Sequence, residues 1–361
     1  MRIAYMLTSL GIGGAEKQVI ALGERMAARG HQVALIVLKS AENYEWPTTL
    51  KTYRLEMKKS GPGVTCGFVR GRRLLHMLQP DLLHSHTLPA NMLARMLRAT
   101  GAVPQVLSTI HNIYEGGWHR TLAYRITDPF CAHTTAVSRA AADRYIQIKA
   151  VPQNKCTVIA NGIDTGAFLP SLLNATDSPE EAETSMPFTW LAAGRDVAAK
   201  DFDNLIAAFQ IVRSAIPNAK LRIAGKAASH RTNKTNNGAN GIRWLGLCED
   251  MPHTLAHCDA FVLSSAWEGL PLVVGEAMAM EKPVVVTDVG GVRELTGDVC
   301  TVVPPRNPQA LADAMLRVMR MHEIDRRAMG KAARLRITQR FDMNAKVDEW
   351  ESLYFRILST G

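Results

Sequence analysis

Residues 260–291 read AFVLSSAWEGLPLVVGEAMAMEKPVVVTDVGG. The apolar run Ala260–Ser264 has the length of a buried strand. A loop carrying Glu268 follows, a helix begins near Pro271 with Glu276 on it, and a second apolar run, Pro283–Thr287, closes the stretch. Proline is tolerated in the first turn of a helix, where its missing N–H is not needed. Strand, helix, strand with short connections is the unit of a parallel sheet.

The same alternation extends through the chain. Candidate strands in the first half are Arg2–Leu7, Val33–Leu38, Asp81–His86, Val106–His111, Thr134–Ser138 and Cys156–Ala160. In the second half they are Phe188–Ala193, Leu221–Ala224, Ile242–Leu245, Ala260–Ser264, Pro283–Thr287 and Cys300–Val303. Amphipathic stretches separate them. One is Ala15–Ala28, with Val19, Leu22 and Met26 on one face and Gly30 just beyond its end as a stop signal. The expected fold class is therefore α/β, with parallel sheets covered by helices on both faces. The 361 residues allow about two domains. Residues 169–186, with three glutamates, an aspartate and few apolar side chains, break the pattern and read as a linker. The expected boundaries are 1–168, the linker 169–186, 187–340, and a terminal helix in 341–361 with Val347, Trp350, Tyr354 and Ile357 at helical spacing. The polar stretch Ala227–Asn240 reads as a loop.

Composition excludes several classes. Apolar residues are 47% and charged residues 21%, which is ordinary for a globular protein. No apolar run approaches the roughly 18 residues that span a bilayer, and no secretory leader is visible, so a cytoplasmic location is expected. The six cysteines are scattered without a C-x-x-C pair, the pattern of buried structural thiols. The net charge is +9. Through residue 165 there are 20 basic and 10 acidic residues, and beyond it 22 and 23. The excess therefore belongs to the first half. It fits an anionic partner there, or general surface basicity. Lys58, Lys59, Arg70, Arg72 and Arg73, leading into Leu74, Leu75, Met77 and Leu78, suit a membrane surface. Aromatic residues are not interleaved with these cations, which argues against nucleic acid.

Several residues could carry chemistry. After the first strand comes GIGGAE at 11–16, where Gly13 and Gly14 let backbone N–H groups approach a phosphate, or simply make a tight turn. Glu16 stands where the dinucleotide fingerprint G-x-G-x-x-G needs its last glycine, so that reading fails. Strand Phe188–Ala193 runs into Gly194 and Arg195, with Lys200 soon after. Both cations would lie at a strand's carboxyl end, where open α/β sheets bind ligands. There Arg supplies a rigid fork and Lys a point charge, which suits a diphosphate, although solvated surface charges fit the spacing too. Gly269, Leu270 and Leu272 would offer free N–H groups at a helix N-terminus. Glu268 and Glu276 could bind sugar or ribose hydroxyls. His84, His86 and His111 end two strands, either as structural groups or as the lining of a cleft. Asp201-Phe202-Asp203 is a D-x-D, but it begins a helix, where acids are common. No His/Cys cluster has metal-ligand spacing.

Taken together these pieces resemble glycosyltransferase family 4, retaining sugar-nucleotide-dependent transferases of the GT-B fold. The matching pieces run in order: GIGGAE at 11–16, DLLHSH at 81–86, STIHN at 108–112, AVS at 136–138, VIANGIDTGAF at 158–168, AAGRDVAAKDF at 192–202, LRIAGK at 221–226, SSAWEGLPLVVGEAMA at 264–279 and KPVVVTDVGGVREL at 282–295. The resemblance implies two Rossmann-like doubly wound domains facing across a cleft, with the last helix crossing back to the N-terminal domain. It implies that Arg195 and Lys200 hold the donor diphosphate, Glu276 the ribose, and Glu268 with Gly269, Leu270, Pro271 and Leu272 the donor sugar and phosphate. Gly13 and Gly14 would close the site and His111 would lie near the transferring sugar. No metal and no cofactor are expected. The stretch Val197-Ala198-Ala199 departs from the bulkier residues of many relatives, which bears on the local loop shape. The expected partners are a nucleotide-diphosphate sugar and a saccharide acceptor, lipid-linked in bacterial surface polysaccharide synthesis. An anionic membrane would be met by the first half, where Arg95 and Arg98 add to the cations above. Trp118, Arg120 and Tyr124 are candidate acceptor or membrane contacts, or parts of a structural helix. A sugar-nucleotide epimerase or hydrolase and a non-catalytic transferase-like subunit remain the alternatives.

Overall fold

The computed structural model describes residues 1–40, 44–170, 187–227 and 240–359. The chain forms two compact units, Met1–Gly162 with Met343–Gly361, and Ile163–Asp342. The boundaries differ from the expected 168 and 340 for a local reason. The Ile163 amide donates to the Phe341 carbonyl at 2.7 Å, Thr165 Oγ1 donates to Asp342 at 2.5 Å, and Arg334 donates to the Phe168 carbonyl at 2.8 Å. Residues 163–168 are thereby tied to the second unit. Of the expected linker, 171–186 lies outside the described residues, as do 228–239 of the expected loop.

The first unit holds seven parallel strands: β1 (Arg2–Leu7), β2 (Gln32–Val37), β3 (Lys51–Arg54), β4 (Leu82–His86), β5 (Val106–Ile110), β6 (His133–Ala136) and β7 (Cys156–Val158). Their order is β3-β2-β1-β4-β5-β6-β7. Strands β1, β4 and β5 are buried along nearly all their length, as strands covered on both faces must be. The edge strand β3 reads KTYR, too short and polar to show in the sequence, and it is the one strand of the unit the pattern misses. The covering helices include α1 (Gly14–Ala28), α2 (Gly61–Leu78), α3 (Leu88–Ala99), α4 (Trp118–Thr127) and α5 (Arg139–Gln147).

The second unit holds β8 (Thr189–Ala193), β9 (Lys220–Ala224), β10 (Ile242–Gly246), β11 (Ala260–Leu263), β12 (Val284–Thr287) and β13 (Thr301–Val303), ordered β10-β9-β8-β11-β12-β13 and all parallel. Helices α6 (Phe202–Ala215), α7 (Met251–Ala256), α8 (Leu272–Ala279), α9 (Val292–Thr296), α10 (Pro308–Arg320) and α11 (Glu323–Arg340) cover it. In each unit the chain reverses its direction across the sheet once, between β1 and β4 and between β8 and β11. At such a switch point the connecting loops part, and a crevice opens at the strands' carboxyl ends.

The last helix, α12 (Met343–Ser359), belongs to the first unit. Its Met343, Val347, Trp350, Leu353, Tyr354 and Ile357 recur every three or four residues and enter one core with Ile3, Tyr5, Leu7 and Val19. Arg29, just past the C-terminus of α1, pairs with Asp348 at 2.6 Å and Glu351 at 2.8 Å, and His31 meets Glu351 at 2.6 Å. No described helix is long and apolar enough to cross a membrane. Cys131 and Cys258 are buried, but Cys66 is exposed on α2, where the small residues around it leave that face uncovered, against the expectation of buried thiols.

Candidate active site

The switch point of the second unit gathers the sequence-predicted residues. Beyond β8, Gly194 and Arg195 lead into a short turn, Ala198–Lys200, and α6 starts at Phe202. Beyond β11, residues 264–271 form the loop before α8. Lys200 Nζ donates to Glu268 Oε1 at 2.6 Å, and Ser265 Oγ donates to the same oxygen at 2.6 Å. Ser264 Oγ donates to the Lys200 and Asp201 carbonyls at 2.9 and 3.1 Å, and the Ala266 amide donates to the Ala199 carbonyl at 2.8 Å. The two loops are thus laced together across the switch, with a cation and a carboxylate held face to face. Arg195 is exposed, and its guanidinium makes no hydrogen bond or ion pair among the described residues.

Two glycines make this approach possible. A Cβ at Gly290, whose φ is +54°, would stand 1.9 Å from the Glu268 carbonyl oxygen, so this residue alone lets the Glu268 backbone settle where it does. The Gly291 amide then donates to the Gly269 carbonyl at 2.9 Å. At Gly225 (φ +154°) a Cβ would lie 2.0 Å from the Gly194 carbonyl oxygen. Leu270 and Leu272 are buried, and Pro271 caps α8 without a side-chain hydrogen bond. The first N–H groups of α8 have no intrahelical acceptor, and the loop carrying Glu268 leads directly into them. Glu276 lies within α8 and is buried. The D-x-D residues are spent on the start of α6: Asp201, in the left-handed region at φ +46°, precedes it, and Asp203 sits in its first turn. Among the described residues no three His, Cys, Asp or Glu side chains gather as a metal site.

In the first unit, Gly13 precedes α1 in extended backbone and Gly14 is its first residue. His84 and His86 in β4, both buried, and the half-buried His111 just after β5 form one group. His86 Nδ1 and His111 Nε2 share a hydrogen bond of 2.9 Å, and the His84 and His86 rings lie 4.0 Å apart. His84 Nδ1 meets the Tyr354 hydroxyl at 2.7 Å, and its Nε2 meets Thr109 Oγ1 at 2.7 Å. Burial pushes His84 and His86 well below the usual imidazole range and His111 down to about 4, so all three are neutral near pH 7. His86 Nε2 is buried with no partner, and the next residue, Thr87, is held at φ +72°, a costly backbone for a β-branched side chain. An orphaned polar atom and a strained backbone thus stand side by side at the carboxyl end of β4. The sequence offered the strand-end histidines; it did not show that Tyr354 of the last helix supports them.

Trp118, Arg120 and Tyr124 come together around a cavity of about 470 Å³ between α4 and α5. Trp118 and Arg120 are exposed, and Tyr124 is buried. Sequence reasoning missed Glu115, which lines the same cavity. The Tyr124 hydroxyl donates to Glu115 Oε2 at 3.0 Å. Burial pushes Glu115 up to about 7, against the pull of the hydroxyls of Tyr124 and Tyr145. One expected cation is displaced from the surface altogether. Arg95 is 0% exposed. It donates to Ser108, Thr134 and the Tyr124 carbonyl at 3.1–3.2 Å and lies over the Tyr124 ring at 5.1 Å. Its neighbours on α3, Ala94 and Leu97, face the core, and the guanidinium meets neutral acceptors there instead of an anionic partner.

Comparison with known families places the chain. The family model "Glycosyltransferase Family 4" matches residues 12–167, and "Glycosyl transferases group 1" matches residues 187–321. The chain belongs to glycosyltransferase family 4. Among curated relatives, this glycosyltransferase is 27% identical over 302 residues to an Escherichia coli UDP-Gal:alpha-D-GlcNAc-diphosphoundecaprenol alpha-1,3-galactosyltransferase, covering 78% of this chain and 77% of that one. It is 26% identical to the phosphatidyl-myo-inositol mannosyltransferase of Mycobacterium leprae, over 97% of this chain and 94% of that one. Solved structures agree on the GT-B fold. Sucrose-phosphate synthase of Thermosynechococcus elongatus superposes with a TM-score of 0.83 at 19% identity over the whole of both chains. Anabaena HepE in complex with UDP gives 0.78 at 19% identity, over 98% of this chain and 99% of that one.

Proposed function

We propose that this glycosyltransferase moves a hexose from a nucleotide-diphosphate sugar to a lipid-linked saccharide with retention of anomeric configuration, in bacterial surface polysaccharide synthesis. The observation that carries the donor half is the unpaired Arg195 beside the Lys200–Glu268–Ser265 cluster at the β8/β11 switch point. A diphosphate arriving there meets a free guanidinium, a lysine it can share with Glu268, and the N-terminus of α8. Glu276 is assigned to the ribose hydroxyls, and Glu268 with the backbone of Gly269, Leu270, Pro271 and Leu272 to the donor sugar and phosphate. From the first unit, Gly13, Gly14 and His111 are assigned to the transferring sugar. The galactosyl- and mannosyltransferase names of the two relatives, both acting on lipid-linked acceptors by those names, support the hexose and the acceptor class. Trp118, Arg120 and Tyr124 are assigned to the acceptor, on the cytoplasmic side of a membrane.

The chemistry follows from charge. As the anomeric C–O bond breaks, its electron pair stays on the diphosphate oxygen and the sugar becomes oxocarbenium-like. The acceptor hydroxyl attacks from the same face, and its proton passes to the departing phosphate oxygen, so no covalent nucleophile is needed. Arg195, Lys200 and the α8 N-terminus take up the negative charge of the leaving group without calling on a metal. Losing one such donor costs about 2.7–4 kcal/mol by analogy with oxyanion holes. His111, whose pKa burial pushes down to about 4, is a weak base and is assigned a hydrogen bond to the sugar.

The test is a transfer assay with UDP-, GDP-, ADP- and TDP-hexoses and a short prenyl-diphosphate-linked N-acetylglucosamine. The expected product carries the donor's anomeric configuration by NMR, with unchanged turnover in excess chelator. Inversion would overturn the mechanism. Nucleotide release at the same rate without acceptor would replace transfer by hydrolysis or epimerisation.

A further inference from the structure

The loop that leaves β5 at His111 lines a cavity of about 470 Å³ together with α4 and α5. Small-molecule sites occupy about 300–1,000 Å³, so the volume suits one. The lining holds four aromatic rings, Tyr114, Trp118, Tyr124 and Tyr145, and a single carboxyl group, Glu115. Trp118 is 77% exposed, which leaves most of its indole to be covered by something else.

Packing within the unit does not account for the carboxyl. Burial pushes Glu115 up to about 7, so its ionised form is held at a cost that an apolar side chain of the same size would avoid. Its surroundings aim it instead. Asn91 Nδ2 on α3 donates to the Tyr124 hydroxyl at 3.0 Å, and that hydroxyl donates to Glu115 Oε2 at 3.0 Å. Tyr145 bonds the same carboxyl from α5. Arg120 donates to the Glu115 backbone carbonyl rather than to its carboxylate. An ionised carboxylate offers about four lone-pair sites. Two tyrosine hydroxyls leave about half of them for a ligand.

The chemistry of the lining names that ligand. A saccharide ring carries adjacent hydroxyls that donate in parallel to one carboxylate, and a face of C–H groups that an aromatic ring covers. A diphosphate would bring its charge against Glu115, and a lipid tail would bury the carboxylate without donors.

We propose that the cavity between α4 and α5 takes a saccharide ring, with Glu115 accepting from two adjacent ring hydroxyls and so selecting the acceptor sugar. Tyr124 and Tyr145 are positioning residues that act through Glu115. The inference rests on the transferase reading for its purpose and deepens its acceptor assignment, but its first test needs neither donor nor transfer.

Saturation-transfer NMR with the full chain would read binding of the methyl glycosides of glucose, galactose, mannose and N-acetylglucosamine. At least one is expected to bind at pH 8, with the signal falling toward pH 6 as Glu115 takes up a proton. The other groups facing Glu115 are Arg120 and Tyr124 on α4, Tyr145 with Arg144 on α5, and Arg95 of α3 over the Tyr124 ring. Burial pushes both tyrosines above the usual phenol range, so neither titrates in this window. Glu115→Gln should bind the glycoside about tenfold more weakly at pH 8 and lose the pH dependence. Monodeoxy analogues lacking one of the paired hydroxyls should bind the wild type about tenfold more weakly than their parent, and bind Glu115→Gln much as the parent does. In the transfer assay the same variant should raise acceptor KM about tenfold, with kcat and donor KM within twofold of wild type. Glycoside binding that depends on Glu115 without any transfer would overturn the transferase reading while supporting this site. Transfer by Glu115→Gln at an unchanged acceptor KM would overturn this site and leave that reading standing. So would no glycoside binding to the wild type, or a donor KM that rises with the acceptor KM, the mark of a merely structural loss.

Discussion

Replacing Gly290 by alanine isolates what the close approach of two loops does for Glu268. The new methyl would stand 1.9 Å from the Glu268 carbonyl oxygen, where ordinary contact begins at 3.4 Å. The obstacle is backbone, not the end of a flexible side chain, so the Glu268 loop must retreat by about 1.5 Å. Displacing a site group by about 1 Å can cost a factor of about 100, or about 2.7 kcal/mol. The torsion adds a separate cost: alanine at φ +54° loses about 1–2 kcal/mol of folding stability, or about 2–8 °C of Tm for a unit of this size. Gly246→Ala separates the two effects. It lies in the same unit at φ +75° with nothing within 4 Å of its Cβ, so it carries the torsional cost without the collision. Tm by calorimetry and donor affinity by titration, with whichever nucleotide sugar binds the wild type, read both quantities. The expected result is lowered Tm in both variants, with about a hundredfold weaker donor binding in Gly290→Ala alone. Donor binding by Gly290→Ala within twofold of wild type would refute the assignment of Glu268 to the donor.

Three further outcomes concern the first unit. Tyr354→Phe removes the hydroxyl shared by His84 at 2.7 Å and Tyr5 at 3.1 Å, leaving a buried imidazole nitrogen unpaired; urea unfolding should show a loss of about 1–3 kcal/mol. Glu115 has its folded value near 7, above that of the unfolded chain, so the folded state binds more protons between about pH 4.5 and 7 and loses stability as pH rises through that window. Glu115→Gln should therefore gain Tm relative to wild type at pH 8 and not at pH 5, and a difference independent of pH would contradict the burial of this carboxyl. His86→Phe removes the bond that orients His111; the His111 ring nitrogen shifts in NMR spectra should change from one fixed tautomer to a mixture, and unchanged shifts would show that His86 does not position it.

The fold was legible because both sheets are parallel and buried, which writes each central strand as an apolar run. Strand β3 escaped because an edge strand needs no such run. The donor-side residues were legible as a family pattern, but the reason for the pattern was not: the spacing of Lys200 and Glu268, 68 residues apart, acquires meaning only when β8 and β11 lie side by side at the switch point. The GG of 290–291 reads as a turn until Gly290 is seen beneath the Glu268 carbonyl. Charge was the least legible quantity. Arg95 counts toward a basic surface by composition yet is spent inside the unit on hydroxyls, a carbonyl and a tyrosine ring. Glu115 looks like a loop acid until the tyrosines around it are in place.

The central claim is that Arg195, Lys200, Glu268 and Glu276 form a nucleotide-sugar site in the second unit. Thermal shift with a panel of UDP-, GDP-, ADP- and TDP-sugars, run beside Arg195→Ala and Glu276→Ala, tests it most directly. The account predicts a rise in Tm with one nucleotide class, abolished in both variants while their own unliganded Tm stays close to wild type. A rise that survives both substitutions, or none with any nucleotide sugar in folded protein, would contradict it.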